Sequence, residues 1–237
     1  MAGVSAVIAL LAWLFPRQPG GTATPPSPSV VAQPFTVNVA VNQNNCEGAT
    51  MHHVVPAALA GRVRPYHNVM VDASFVGAAD AVYSDVIITL QGTSTVATVL
   101  QDMRIRVVRR DRPAGVVYQD NAGQCGGITP AYFGVDLDQP TPKAKPLAGD
   151  DGPARPFPFT ISESDPEVFH VFGVARGCDC RWFVDIVWFR AGVSGTTTIS
   201  DQGEPFRTVG TEGLPVFDGR SDGGWRPATG PLRSPLD

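Results

Sequence analysis

The segment RWFVDIVWFRA, residues 181–191, constrains the fold more strongly than any other part of the chain. Trp182, Ile186 and Trp188 share one parity, so an extended backbone would place them on the same face. The opposite parity is also largely apolar and carries the segment's only internal charge, Asp185. A run with aromatic and β-branched residues on both faces predicts a long central strand, and we expect the uncharged Trp182 face to be buried.

Shorter segments of the same kind recur from residue 35 onward, separated by turn-forming residues. The clearest lie at 35–41, 85–92, 98–110 and 167–175. Gly (25) and Pro (22) are frequent in the 237-residue chain, which favours turns and strands over long helices. Only residues 54–83 allow a turn or two of helix. We therefore expect an all-β fold: an antiparallel β-sandwich, immunoglobulin-like or jelly-roll, with a small helical insert.

The first 34 residues predict a membrane or signal helix followed by a spacer. Residues 1–15 contain the uncharged run AGVSAVIALLAWLF, which is shorter than the roughly 20 residues of a spanning helix and has no basic residue before it. This run is expected to be either a signal peptide or a transmembrane anchor. Residues 16–34 form a Pro-rich linker. The β-sandwich domain is expected at 35–215, and the Gly/Pro-rich segment 216–237 is expected to be a flexible tail.

This layout predicts a protein of the cell membrane, single-pass or exported, with its folded domain outside the cytoplasm. The net charge of -4 gives no overall basic surface for nucleic acid. We therefore expect no nucleic acid partner. The expected partners are the membrane, through the N-terminal segment, and an envelope component or protein that the residues do not identify.

The chain has four cysteines, and all four are candidates for disulfides. They are Cys46, Cys125, Cys178 and Cys180. An even number in an exported chain favours disulfide pairing. Cys178 and Cys180 are two residues apart at the start of a predicted strand, so their side chains should lie on the same face. A bond between them would close a small, strained ring. We expect one to pair with Cys46 and the other with Cys125, with the choice left open.

Zinc is the alternative use of these thiols. Cys46 lies near His52 and His53, and the two cysteines of the C-x-C pair could supply further ligands. The spacing matches no common zinc framework, and Cys125 would be left over. We therefore expect neither a metal nor a cofactor.

Four strings carry a resemblance to a known group of proteins. They are GCDCRWFVDIVWF, TTTISDQGEPFRT, GQCGG around Cys125, and DMRIRVV in a basic strand. Together they resemble an uncharacterised group of actinobacterial membrane-anchored or exported proteins with one extracytoplasmic β-rich domain. The resemblance covers residues 35–215. It implies the layout described above, but no known activity and no site residues.

Serine and histidine chemistry has little support in the sequence. The closest approach to a nucleophile elbow, GVSG at 192–195, lacks the required spacing and predicts a hairpin turn. His170 lies inside a strand pattern and is expected to be a hydrogen-bonded interior or sheet-face histidine. His52 and His53 are expected to be solvated loop residues. We therefore predict no catalytic residue.

Paired carboxylates and one basic strip remain to be considered. The carboxylates are Asp136 and Asp138, Asp150 and Asp151, and the run ESDPE at 163–167. Each lies beside Pro or Gly and predicts a solvated turn, and the EF-hand spacing that calcium would need is incomplete. The strip RIRVVRRDR at 104–112 could contact anionic polymers or head groups, but it predicts a solvated strand face.

The function expected from these residues is that of a surface-tethered extracytoplasmic binding or sensing domain, and not that of an enzyme. Two alternatives stay open. One is a cell-envelope hydrolase whose site is assembled from loops around His52, His53 and a carboxylate, since such sites form only in space. The other is a purely structural envelope protein.

Overall fold

A computed structural model describes residues 32–42, 50–63, 77–121, 130–149, 152–220 and 224–237. The unit Gln33–Asp237 is compact and contains every described strand. The predicted N-terminal helix and nearly all of the predicted linker lie outside the described residues. So do Cys46 and Cys125.

The described part of the chain is almost entirely β-structure, with one 3-10 helix at Ala57–Arg62. The strands, in chain order, are β1 (Phe35–Asn42), β2 (Thr50–Val55), β3 (Ala79–Ala81), β4 (Tyr83–Gly92), β5 (Thr98–Asp111), β6 (Val116–Asn121), β7 (Ala131–Asp136), β8 (Lys145–Leu147), β9 (Phe159–Ile161), β10 (Glu167–Val174), β11 (Asp179–Arg190), β12 (Val193–Ile199), β13 (Phe206–Val209), β14 (Val216–Gly219) and β15 (Trp225–Pro227). The short helix lies within 54–83, where the sequence predicts the helical insert.

These strands form two sheets that pack face to face. The five-stranded sheet has the order β1-β4-β10-β7-β8, and the ten-stranded sheet has the order β15-β14-β6-β2-β3-β13-β11-β5-β9, with β12 beside β11. Buried residues of both sheets, such as Ile88 and Ile186, belong to one apolar cluster. The predicted all-β sandwich is therefore confirmed. Its sheets are mixed, because β7 with β10, β3 with β13 and β6 with β14 pair in parallel.

The parity predicted for β11 is confirmed. Trp182 and Ile186 are fully buried, and Trp188 is 3% exposed. The indole ring of Trp182 lies against Gly173 in β10, where an added Cβ would clash with the ring. Glycine is needed at this position because the two sheets approach each other so closely.

The expectation of a flexible tail at 216–237 is corrected by the structure for the residues that it describes. β14 and β15 lie in this segment, and β14 extends the ten-stranded sheet by pairing with β6. Leu232 and Leu236 pack against a buried cluster that includes Tyr83 and Phe172. The spaced leucines stabilise this segment despite its Gly/Pro-rich composition, because they bury apolar area on the rest of the domain.

Candidate functional site

Polar side chains of the interior gather where β3 joins the two sheets. Asp80, the middle residue of β3, is the register partner of His53 in β2 and of Thr208 in β13. Side chains of cross-strand partners lie on the same face of a sheet. The chain then turns at Val82, whose φ is +69°, and enters the five-stranded sheet, from which Ser84 approaches Thr208. We call these residues, Asp80, His53, Ser84 and Thr208, the buried polar cluster.

Hydrogen bonds tie the two sheets together through this cluster. The hydroxyl oxygens of Ser84 and Thr208 are 2.7 Å apart, and Ser84 Oγ donates to the carbonyl oxygen of Arg207 at 3.0 Å. Thr208 Oγ1 also accepts from Trp182 Nε1 at 3.1 Å. These contacts assign the hydroxyl proton of Ser84 to Arg207 and that of Thr208 to Ser84. Ser84 is buried and hydrogen-bonded as a structural group.

The titratable members of the cluster have altered acidities. Burial raises the pKa of Asp80 to about 7, and the negative charges of Asp85 and Asp201 act in the same direction. Burial lowers the pKa of His53 to about 4, and the neighbouring His52 acts in the same direction. Asp80 Oδ2 and His53 Nε2 are shielded from solvent, and neither has a hydrogen-bond partner in the described part of the chain. Asp80 could exchange a proton near neutral pH, but its neighbours His53, Ser84 and Thr208 are buried and Asp80 itself is only partly exposed.

The prediction that His52 and His53 are solvated loop residues is wrong. Both are buried and lie next to each other in β2, so their side chains point to opposite faces of the ten-stranded sheet. His52 lies opposite Gln119 in β6. Burial lowers the pKa of His52 to about 4, although a hydrogen bond with Gln119 acts to raise it. The structure therefore brings only His53 beside a carboxylate, that of Asp80. The valines that follow the histidine pair were the signal for a strand.

His170 is a hydrogen-bonded sheet-face histidine, as predicted. Its Nδ1 lies 3.0 Å from Oδ2 of Asp85, across the pair formed by β10 and β4. Burial raises the pKa of Asp85, while the hydrogen bond with His170 opposes this effect. The ring of Tyr132 packs 5.4 Å from the imidazole. Sequence reasoning missed Asp85, because nothing in the pattern of β4 indicates which strand supplies its partner.

The structure bonds Cys178 to Cys180, so the prediction that each pairs with a distant cysteine is wrong. Their Cα atoms are 5.3 Å apart, within the range of ordinary disulfides. The parity argument assumed that both residues lie in a regular strand. β11 begins only at Asp179, and Cys178 follows a bend, so the backbone there is not fully extended.

A carboxylate holds this bend in place. Asp138 Oδ2 accepts from the backbone N–H of Arg176 at 2.6 Å, and Asp138 Oδ1 accepts from that of Gly177 at 3.1 Å. Since Cys46 and Cys125 lie outside the described residues, their pairing stays a prediction.

Two further candidate carboxylates, Asp136 and Glu167, are also used structurally. Asp136 accepts from the backbone N–H of Asp138 at 3.1 Å and from the side chain of Gln139 at 2.9 Å. Glu167 forms a two-point ion pair with Arg155, at 2.9 and 3.0 Å. Asp150 and Asp151 lie outside the described residues. Within the described ranges, no three His, Cys, Asp or Glu side chains form a group that could hold a metal ion.

The outward side of β12, β11 and β5 carries a network of charged, hydroxyl and aromatic side chains that faces solvent. Arg106 binds Asp185 at two points, 3.0 and 3.2 Å, and its guanidinium lies 4.8 Å from the ring centre of Phe183. Thr198 donates to Asp185 at 2.6 Å. Burial alone would raise the pKa of Asp185, but the bonds from Arg106 and Thr198 lower it below its usual value. Phe189, on the same side, is 40% exposed.

We call this surface the β11 face, defined by Arg106, Phe183, Asp185, Val187, Phe189 and Thr198. It contains part of the basic strip at 104–112, which faces solvent as predicted. The strip's arginines are partly neutralised, since Arg104 pairs with Asp102 and Arg106 pairs with Asp185. Sequence analysis found Arg104 and Arg106 in this strip but not their carboxylate partners, Asp102 in β5 and Asp185 in β11.

Comparisons with known proteins add no family to this description. The chain matches no protein-family model, no curated protein and no solved structure. Among the helices of the described residues, none has the length and apolar character needed to cross a membrane. The fold and the two polar assemblies, one enclosed and one facing solvent, are therefore the basis for the functional argument.

Proposed function

We propose that this protein is a surface-tethered extracytoplasmic binding domain and that it binds its ligand on the β11 face. The observation that carries the proposal is the network of Arg106, Asp185, Thr198 and Phe183, which fixes side chains from three neighbouring strands on a solvent-facing surface. A surface whose side chains are already held in place loses little conformational entropy when it binds.

The chemical make-up of the β11 face supports the same proposal. Val187 and the exposed Phe189 lie beside Thr196 and Ser194 of β12, so apolar and hydroxyl side chains alternate across the strands. Exposed aromatic residues with arginine are enriched in the cores of binding interfaces.

The proposed location rests on the N-terminal segment. The apolar run at 1–15 would tether the chain to the membrane, and the linker at 16–34 would hold the folded unit away from it. The resemblance to actinobacterial envelope proteins supports this layout. Alkaline phosphatase fused to the C-terminus should be active in cells. An inactive fusion, with an active cytoplasmic reporter at the same position, would contradict export.

Binding can be tested by co-sedimentation of the full-length chain with separated envelope fractions, one of membranes and one of wall polymers. We expect saturable binding to one fraction, weakened by Phe189→Ala and by Arg106→Gln. Val41→Ala is the matched control, because Val41 is also 40% exposed but lies in β1 of the other sheet. Binding that is equal in all variants, or absent from both fractions, would refute the proposal. Equal binding in all variants would favour a structural envelope protein.

A cell-envelope hydrolase is a second candidate, favoured by one specific observation. Asp80 and His53 are register partners, and among the described residues neither Asp80 Oδ2 nor His53 Nε2 has a hydrogen-bond partner. A substrate would have to reach them from the side of the partly exposed Asp80, because His53 is buried. Turnover of an envelope fraction by the full-length chain, abolished by Asp80→Asn, would establish the hydrolase in place of the binding domain.

A further inference from the structure

Three arginines lie side by side on the outward side of the ten-stranded sheet, next to the β11 face. Arg181 in β11 is the register partner of Arg207 in β13 and of Arg109 in β5. Side chains of cross-strand partners lie on one face at close range, and like charges placed directly opposite each other destabilise a sheet. This row of arginines therefore lowers the stability of the free protein unless something compensates its charge.

The compensation within the chain is incomplete. Arg207 binds Asp179 at two points, 3.0 and 2.7 Å, and Arg109 pairs with Asp111. Within the described residues, the one ion-pair contact of Arg181 is distant: its guanidinium lies 3.8 Å from Asp179 Oδ1, which is too long for a hydrogen bond. Among the described residues, its guanidinium makes no hydrogen bond. Three guanidinium groups thus face two carboxylates, and one positive charge is left over.

The environment of Arg181 adds to this imbalance. Burial lowers its pKa, and the positive charge of Arg207 has the same effect, while Asp179 opposes it. The side chain remains 29% exposed, so an incoming group can reach it. Such a guanidinium offers its planar set of donors to an anion and has lost part of its own hydration.

We propose that this arginine row is a subsite for the carboxylate group of an acidic polysaccharide built from uronic acid units. The inference rests on the proposed binding function and names its ligand class. Arginine–carboxylate pairs recur on this side of the sheet, as in Arg106 with Asp185 and Arg207 with Asp179, so a ligand carboxylate at Arg181 would give its guanidinium the same kind of partner. Further along β11 the hydroxyls of Thr198 and Thr196 suit the neutral hydroxyls of the same polymer.

The test measures the affinity of the full-length chain for oligogalacturonate by titration calorimetry. Arg181→Gln should weaken binding about tenfold or more, because a charge-assisted, two-point contact is lost. Arg155→Gln is the charge-matched control: it removes one positive charge from a pair with Glu167 on the other sheet, and affinity should stay within about twofold. Fully methyl-esterified oligogalacturonate, which lacks the charge, should not bind.

Thermal unfolding of the ligand-free protein provides a second readout. Arg181→Gln should raise Tm, since the change removes repulsion from Arg109 and Arg207. An arginine with a purely structural role would lower Tm when replaced, and that result would count against the subsite. Arg181→Lys keeps the charge without the planar donor set, so it should bind more weakly than the unmodified protein even though it folds normally.

The remaining outcomes separate this inference from the proposed function. No binding of oligogalacturonate, or equal affinities for Arg181→Gln and Arg155→Gln, would overturn the subsite. If poly-glutamate binds more strongly than oligogalacturonate, the ligand is an acidic peptide and not a polysaccharide. If a glycerol phosphate polymer binds more strongly, the arginine row recognises phosphate and not carboxylate. In each case the proposed function survives if Phe189→Ala and Arg106→Gln still weaken binding to an envelope fraction.

Discussion

Replacing Asp80 by Asn should stabilise the protein at neutral and alkaline pH but not at acid pH. Burial raises the pKa of Asp80 from 3.8 to about 7, so between these values the folded protein keeps a proton that the unfolded chain has released. The folded state then binds more protons than the unfolded state, and the free energy of unfolding falls as pH rises through this window. Asparagine has nearly the same shape as aspartate and never ionises, so in Asp80→Asn the free energy of unfolding should no longer fall over this pH range.

The magnitude follows from the size of the pKa change. One pH unit corresponds to about 1.4 kcal/mol, so the rise to about 7 amounts to a penalty of about 4 kcal/mol. This penalty is absent near pH 4 and complete above pH 7. Solvent screens it little, because Asp80 Oδ2 is shielded from water. Asp80→Asn should therefore match the unmodified protein near pH 4 and exceed its stability by about 4 kcal/mol at pH 8.

Urea unfolding followed by tryptophan fluorescence, at several pH values from 4 to 8, measures this difference directly. His52 and His53, whose pKa values are lowered to about 4, make both proteins more stable as pH rises from 4 to 6.5, so their effect cancels in the comparison. Asp165→Asn, at an exposed position, controls for the loss of a carboxylate. A difference between Asp80→Asn and the unmodified protein that stays constant with pH would refute the reasoning.

Further predictions concern the core and the disulfide. Ile186→Ala should cost about 2–5 kcal/mol in urea unfolding, because Ile186 is fully buried between the sheets; a change below about 0.5 kcal/mol would mean that β11 is not central. Thr208→Val should cost about 1–3 kcal/mol, because Trp182 Nε1 loses its buried acceptor, whereas Thr208→Ser should keep most of the stability. Non-reducing digestion with mass spectrometry should recover one peptide with an internal bond between Cys178 and Cys180; a crosslink from either to a distant cysteine would contradict the structure.

Local sequence patterns were enough to predict the all-β fold and the buried side of β11. The alternation of Trp182, Ile186 and Trp188 has a period of two, which is a property of the extended backbone itself, so it predicts burial without knowledge of the partner strands. The same reasoning placed His170 on a sheet face. It failed for Cys178 and Cys180, because it assumed an extended backbone across both residues, whereas β11 begins only at Asp179 and the preceding bend lets the two thiols meet.

Partner choice across strands was decided only by the tertiary structure. Asp80 lies 27 positions after His53 and 128 before Thr208, and no local pattern indicates that the three become neighbours in one sheet. The row of Arg109, Arg181 and Arg207 forms in the same way, from strands far apart in the sequence. Burial and neighbouring charge determine the acidity of such groups, and both depend on the packing of the sheets. The sequence by itself therefore determined which residues alternate along each strand, and the packing of the two sheets decided which of them meet.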